Sequence, residues 1–405
     1  VIVELHLLQN VSPSCLNRDD TNTPKDAEFG GHRRARISSQ CLKRSVRRFF
    51  RDRELLPAAH LAVRTKRLLD EAVATLVRGG RGPEEAARRA VTAALAAGGL
   101  KVDDKGLTQY LLFLGRAEVD GLVRIVADHF ETLAAVGADK PAEEPAAEAD
   151  GKAAKKAVKK TAKQEKAAAK KEAPEAVVKA VNKLLDGGKA ADLALFGRML
   201  ADSAAFNIDA ACQVAHALST NRAAMEMDYF TAVDDLQERS DDAGAGAGMI
   251  GTVEFNSSCF YRYANIDSAQ LLRNLGGDAD LARRTVAAFL RAAVEAVPSG
   301  KQNTFAAHNP PSLVFAVVRR SGQWNLANAF VRPVGAEGAG LVANSVRALD
   351  AYWGRLVKMY GPPAGLAAAV ATTEDGALDA LAGFRTDGVA QLYKAVEDGL
   401  GKGDR

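Results

Sequence analysis

From its first residue the chain alternates. Val1, Val3, Leu5 and Leu7 fall on one face and Ile2, Glu4, His6 and Leu8 on the other, the two-residue period of a β-strand. The polar stretch that follows, roughly residues 10–37, reads as a loop. Loops of such length are functional or disordered far more often than they are plain connectors, and here the charge and the Gly30–Gly31 pair favour function. The period then becomes helical. Ser38 or Ser39 is a suitable N-cap; Leu42, Val46, Phe49 and Phe50 form the stripe to be buried, and Lys43, Arg47 and Arg51 share an exposed face with Arg44 and Arg48 beside them. Residues 58–137 repeat at helix spacing, through Leu68, Leu69, Ala72, Val73 and Leu76 and again from Tyr110 to Val126, and 175–218 continue that pattern. Residues 252–263 alternate again behind a Gly/Ala tip at Asp241–Gly251, which predicts two extended arms joined by a tip, the second arm running into a core strand. Beyond them the pattern predicts an amphipathic helix over 268–297, broken at Gly276–Gly277. A buried strand follows at Leu313–Val318, a further strand at Trp324–Val331, and helices over 341–360 and 376–400.

With the insertions set aside, the order is strand, helix, strand or strand pair, helix, strand. That predicts an α+β chain with an RRM-like (ferredoxin-like) core, a helical insertion and a β-hairpin-like protrusion. The expected boundaries are 1–57 and 253–405 for the discontinuous core, 58–220 for the insertion and 221–252 for the protrusion. Residues 138–174 differ from everything around them. An acidic, Pro-bearing run is followed by KAAKKAVKKTAKQEKAAAKK, which has almost no apolar stripe to bury. It reads as a disordered or loosely helical linker, either a solvated spacer or a weak, sequence-blind attractor of nucleic acid.

Composition narrows the chemistry. Of 405 residues 47% are apolar and 26% charged, and the formal net charge is only +4, so a nucleic-acid partner must be argued from where the charge lies. It lies in one place. Arg33, Arg34, Arg36, Lys43, Arg44, Arg47, Arg48 and Arg51 run from the loop into the helix start, beside two glycines, where free backbone N–H groups also favour an anion. A solvated helix face is the plain reading of such a run; phosphate contact without base readout is the one its placement favours. Asp19, Asp20, Asp26 and Glu28 are candidate metal ligands of a nuclease, but their spacing is not diagnostic, and salt bridges to the neighbouring arginines explain them better. Cys15, Cys41, Cys212 and Cys259 form no C-x-x-C pair, which predicts free thiols and no metal or other cofactor. No apolar run is long enough to span a membrane, and the expected location is the cytoplasm. Met199, Tyr229 and Phe230 are either core residues or wedges against bases.

Several segments together resemble a known family. PSCLNRDD, KDAEFGG, RRARISSQCLKR, LALFGRML, AHALST, YFTAVDDL, EFNSSCFYRYANI, AQLLRNLGG and GKQNTFAAHNP are similar to the motifs of CasC, the backbone subunit of the type I-E CRISPR Cascade complex. The resemblance spans roughly 1–137 and 175–360 and departs at 138–174. It implies a palm, helical fingers and a thumb, matching the three regions above. It also implies no catalysis by this subunit, and as partners a CRISPR RNA (crRNA), the target DNA strand paired to it, copies of the chain in a helical row (typically six) and the other Cascade subunits. The crRNA would be held by its backbone and kinked at intervals so that bases are presented to the target. The guide contacts implied are Lys25, Ser38, Gln40, Lys43, Arg44 and Arg47, with Phe230 and Tyr229 as the thumb wedge, Met199 at the kink, and Arg18, Lys301 and Gln302 as further contacts. The alternatives are a CRISPR-associated endoribonuclease using Asp19, Asp20 or His32, and a general single-strand RNA chaperone.

Overall fold

The computed structural model describes residues 1–136, 174–184, 188–200, 206–232, 249–374 and 376–403. The low-complexity stretch (all but its last residue) and the tip between the two arms (all but its last three residues) therefore lie outside the described residues. The chain divides into two compact units, one of residues 1–55, 212–269 and 283–405, the other of 56–211 and 270–282.

The first unit is built on one antiparallel sheet. Its strands are β1 (Ile2–Ser14), β2 (Asp26–Phe29), β3 (His32–Ile37), β6 (Cys212–Val214), β7 (Ala217–Ser219), β8 (Glu226–Ala232), β9 (Met249–Asp267), β10 (Leu313–Arg319) and β11 (Gly365–Thr372); β4 (Ala62–Thr65) and β5 (Leu112–Gly115) pair with each other in the second unit. The sheet order is β11-β10-β1-β9-β7-β3-β2, with β6 and β8 also paired to β9. Helix α1 (Ser39–Asp52) lies between β1 and β6–β7 in sequence, and the helices Ser268–Asn274 and Ala279–Glu295 lie between β9 and β10. The four central positions thus follow β-α-β-β-α-β with the first strand between the third and the fourth, which is the expected α+β arrangement.

Both faces of β1 are covered. Leu42 of α1 packs with Val11, Ile37, Ala217 and Phe260 on one side, and Val346, Leu349 and Trp353 of the helix Leu341–Tyr360 pack with Leu8, Tyr261, Phe315 and Val317 on the other. The polar members of the β1 alternation are consequently buried and must be satisfied within the core. Glu4 accepts from Arg319 Nη1 at 2.7 Å, the Tyr263 hydroxyl at 2.8 Å and the Trp324 N–H at 2.6 Å. His6 Nδ1 shares a 2.9 Å hydrogen bond with the Tyr261 hydroxyl, and burial lowers its pKa to about 3.

Four expectations are corrected, and one strand, at 365–372, has no counterpart in the sequence reading. Residues 10–37 are not one loop: β1 runs on to Ser14, and β2 and β3 form a hairpin whose two turn residues, Gly30 and Gly31, both have positive φ, as the tight primed turns require. Residues 212–219 are strand, not helix. Residues 324–331 hold a 3-10 turn, Leu326–Phe330, whose start is fixed by the Asn325 side chain accepting from the Ala327 N–H. GLAAAVAT, residues 365–372, is a strand although alanine carries little strand preference. The last helix begins only at Val389.

The second unit is mainly helical. Leu68–Arg78, Glu84–Ala97, Arg116–Asp128 and Glu175–Leu184 pack around Ala90, Val91, Leu95, Leu122 and Val126. Its one fully buried ion pair joins Arg198 Nη1 to Glu118 at 3.0 Å among the described residues, and Glu118 also accepts from the Gly115 N–H at the helix start at 2.7 Å.

Candidate nucleic-acid interface

The loop between β1 and β2 is locked by its own short polar side chains. Asp19 accepts from the backbone N–H and the hydroxyl of both Thr21 and Thr23; led by the Thr21 hydroxyl, these bonds hold its pKa at about 2. Asp26 pairs with Arg33 across the hairpin. Asp19 and Asp26 thus serve the loop and the hairpin, and no group of three or more potential ligands is found among the described residues. Arg18 bonds to Asn22 and remains exposed. Asn17 joins the loop to the helix: its side chain accepts from the Ser38 N–H at 2.8 Å, and its carbonyl accepts from the Lys25 N–H at 2.9 Å. Ser38 is the N-cap of α1, its hydroxyl accepting from the Cys41 N–H, which leaves the hydroxyl proton to donate.

The basic run separates into three kinds of residue. Arg34 is a fastener. Its guanidinium, fully buried, donates to the carbonyls of Ser219, Thr220, Asn221, Phe330 and Val331 at 2.7–3.4 Å, and burial lowers its pKa. Arg47 lies with Leu42, Val46 and Phe50 on the buried side of α1 at 9% exposure. The expectation that it shares an open face with Lys43 and Arg51 is corrected: position 47 borders the apolar stripe, where a long alkyl stem is readily covered. Of the remaining cations, Lys25, Arg36, Lys43 and Arg44 lie near the start of α1, while Arg33 is on the hairpin and Arg51 in the last turn of the helix. Gln40 and Arg44 are exposed, and Lys25, Arg36 and Lys43 are half-buried. Burial raises the Cys41 thiol, and Arg44 and Lys25 both act against it. Burial lowers His216, and Arg36 and Lys25 lower it further; Arg36 also bonds His216 Nδ1 at 3.0 Å. Lys43 acts on Cys212 beneath it, whose thiol burial pushes to about 12. Lys25, Arg36 and Arg44 therefore act on one patch of surface, at the end of α1 where the backbone N–H groups point outward.

A second loop closes on the first. Gly300 lies so close to the Leu16 carbonyl that a Cβ would sit 2.3 Å from it, and this approach brings Lys301, like Arg18, within reach of Cys15. Gln302 points into its own loop, donating to the Pro298 and Ala307 carbonyls, with its Oε1 buried and without a hydrogen-bond partner among the described residues. The arms β8 and β9 pair from Glu226↔Phe255 to Ala232↔Met249, and all of β8 is exposed. Register places Met227, Tyr229 and Ile250 on one face of this ribbon and Phe230 and Met249 on the other. Phe230 stands opposite Gly251, and its ring occupies the space where a side chain at 251 would be. In the second unit, Met199 is 84% exposed on a backbone pinned by the Arg198–Ile208 bridge and the buried Arg198 beside it.

Sequence reasoning did not single out Asn17, although asparagine commonly ties a turn.

The geometry meets its counterpart in known proteins. A family model described as CT1975-like protein matches residues 3–398. The chain belongs to the CT1975-like protein family. This member is similar to a chain of a solved "CRISPR RNA-guided surveillance complex, pre-nicking", with 30% identity and a TM-score of 0.80 over 98% of this chain and 99% of the other. It is also similar to a chain of a "CRISPR RNA-guided surveillance complex" at 25% identity and a TM-score of 0.70, again over 98% and 99%. No curated protein matches it. The family and fold agree with the motif resemblance, and these solved neighbours are components of CRISPR surveillance complexes.

Proposed function

We propose that this chain is the guide-holding backbone subunit of a Cascade-type surveillance complex. In this role it grips the crRNA by its phosphates, wedges it with the ribbon aromatics and leaves bases free to pair with a target DNA strand. The observation that carries the reading is the patch of Lys25, Arg36 and Arg44 at the open end of α1. It offers positive charge and backbone N–H groups to phosphate and nothing that would read a base. The ribbon supports it: Tyr229, Phe230 and Met227 are exposed at 63%, 36% and 72%, a surface with no purpose in the fold itself. Copies of the chain would line up along one RNA, each adding a modest share of the affinity. On this reading the subunit itself does not cut, and Asp19, one of the residues a nuclease would use, is engaged in its own loop.

Co-expression with a CRISPR array and the remaining complex subunits tests this. The expected product is a ribonucleoprotein of fixed copy number whose spacer RNA is protected from nuclease at regular intervals. Failure to form one, with the chain folded, would defeat the proposal. Metal-dependent scission of repeat RNA by the pure chain, lost in Asp20→Ala, would instead favour the endoribonuclease.

A further inference from the structure

The cations near the start of α1 hold among them one titratable side chain to which the guide-holding role gives no task. His216 stands in the short turn between β6 and β7, one step past the pairing of Ile37 with Ala217, and it is exposed. Arg36 Nη1 lies 3.0 Å from His216 Nδ1. A guanidinium only donates, so Nδ1 accepts, and the ring is neutral with its proton on Nε2. Arg36 is itself held in place: its Nε donates to the Asp26 carbonyl at 3.0 Å, and its backbone N–H donates to the Lys25 carbonyl at 2.9 Å. The ring is therefore oriented, and Nε2–H makes no hydrogen bond among the described residues.

The charges that act on this ring are of one sign. Partial burial, then Arg36 of β3 and Lys25 just before β2, hold its pKa below the ordinary histidine value. Asp26 of β2 pairs with Arg33 instead. On α1, Lys43 acts on Cys212 and Arg44 on Cys41. Tyr263 of β9, whose carbonyl accepts from the Ala215 N–H beside the ring, sends its hydroxyl to Glu4. No carboxylate acts on His216 among the described residues.

We propose that His216 is a further phosphate contact of this patch and that it takes up a proton when RNA is seated there. In the free chain Nε2–H is a neutral donor among cations. A phosphate oxygen that accepts from it sets a negative charge against the ring and competes for the Arg36 guanidinium, which frees Nδ1 to take a proton from solvent. The bonds that result are charge-assisted and stronger than those they replace. RNA then binds the protonated ring more tightly than the neutral one, and by linkage the complex holds more protons than the free chain. Affinity consequently rises as pH falls through the pKa of the bound ring and levels off below that of the free one. Lysine and arginine titrate far too high to give this profile. The inference rests on the guide-holding role, since it adds a contact to the same patch.

Anisotropy of a fluorescent oligouridylate with the full chain tests it, together with titration calorimetry in buffers of unlike ionisation enthalpy. His216→Gln keeps a side-chain N–H donor but takes up no proton; His216→Phe removes both. Between about pH 7.5 and 6 the wild-type affinity is expected to rise about threefold more than that of His216→Gln, and near pH 6.5 the wild type should take up about half a proton more on binding. His216→Phe should bind more weakly than His216→Gln at both pH values, and both variants should keep the parent's melting temperature, as the position is exposed. If His216→Phe does not fold, His216→Gln decides. Parallel pH profiles or equal proton uptake in the wild type and His216→Gln would overturn the proposal and leave the guide-holding role standing. No binding of the oligouridylate by the wild type at either pH would defeat that role, and this inference with it.

Discussion

Replacing Arg34 by Met asks whether a basic run is one functional unit or several. The exposed members should matter to RNA and little to folding; Arg34 should do the reverse. Its five acceptors lie on two segments, 219–221 and 330–331. Thr220 O also accepts from the Val334 N–H and Asn221 O from the Ser219 hydroxyl, so the variant chiefly strips Phe330 and Val331, with Ser219 losing one donor. Hydrogen bonds to a charged group are worth about 1.5–3 kcal/mol each. Removing a cation that burial already disfavours returns part of that loss, and the methionine retains much of the alkyl packing. The net cost comes to about 3 kcal/mol. For a unit of this size roughly 2–4 °C accompanies each kcal/mol, so the melting temperature should fall by about 6–12 °C. Arg34→Lys should recover little, since one ammonium does not span two segments as a planar fork does. Calorimetry on the chain, with RNA affinity measured below the transition, checks this. A melting temperature within about 2 °C of the parent together with a collapse of RNA binding would show that Arg34 is a contact and not a fastener.

Lys25→Ala with Arg44→Ala should leave melting unchanged, weaken single-stranded RNA binding and reduce the slope of log Kobs against log salt by about 1.4, as two fewer phosphate contacts require; titration between low and moderate salt measures it. Glu118→Ala strands a buried Arg198 and uncaps the Gly115 N–H, so the second unit should lose about 3–5 kcal/mol, visible as an earlier transition in calorimetry. His6 has a folded pKa of about 3, below its unfolded value, so its contribution is complete above about pH 6.5 and is lost as pH falls towards 3; between pH 6.5 and 5 the loss should reach about 2 kcal/mol, and denaturant titrations at the two pH values should show this loss in the wild type and not in His6→Phe. Gly251→Ala would place a Cβ 2.5 Å from the Phe230 ring, so the ring must leave the ribbon; nuclease footprints on bound guide RNA should lose regularity as they do in Phe230→Ala, with melting unaffected in both.

How far the chain was legible follows from what each pattern measures. Alternation located β1 and β9, a continuous apolar run located β10, and helix spacing located α1, because each pattern reports directly on buried faces. The Gly30–Gly31 hairpin had a readable signal in its paired glycines, yet charge in the flanking strands masked the alternation. Strand β11 had none: Ala367, Ala368 and Ala369 offer neither β-branching nor contrast between faces, and the strand exists because β10 supplies a partner along its whole length. The low net charge was a fair warning, since several of the basic residues belong to the fold.

That last point has a physical consequence for the proposed guide-holding role. A surface made only of lysine and arginine would attract phosphate anywhere along itself and would fix neither register nor direction. Here the cations that touch the surface are few, and they are aimed by polar groups that carry no charge: Asn17 ties the loop to the helix start, Ser38 caps it, and Gly300 lets a second loop close on Cys15 and Leu16. The buried arginines hold the frame. Arg34 joins the root of the ribbon to β3, and the Ala223 N–H donates to the Arg33 carbonyl at 2.9 Å just before the ribbon leaves the sheet. Grip and wedge, nearly two hundred residues apart in the chain, are therefore joined through one strand. On the proposed role, a backbone contact at α1 and a kink at Phe230 would then occur at a constant spacing on the RNA, which neither a flexible basic tail nor a free hairpin would provide.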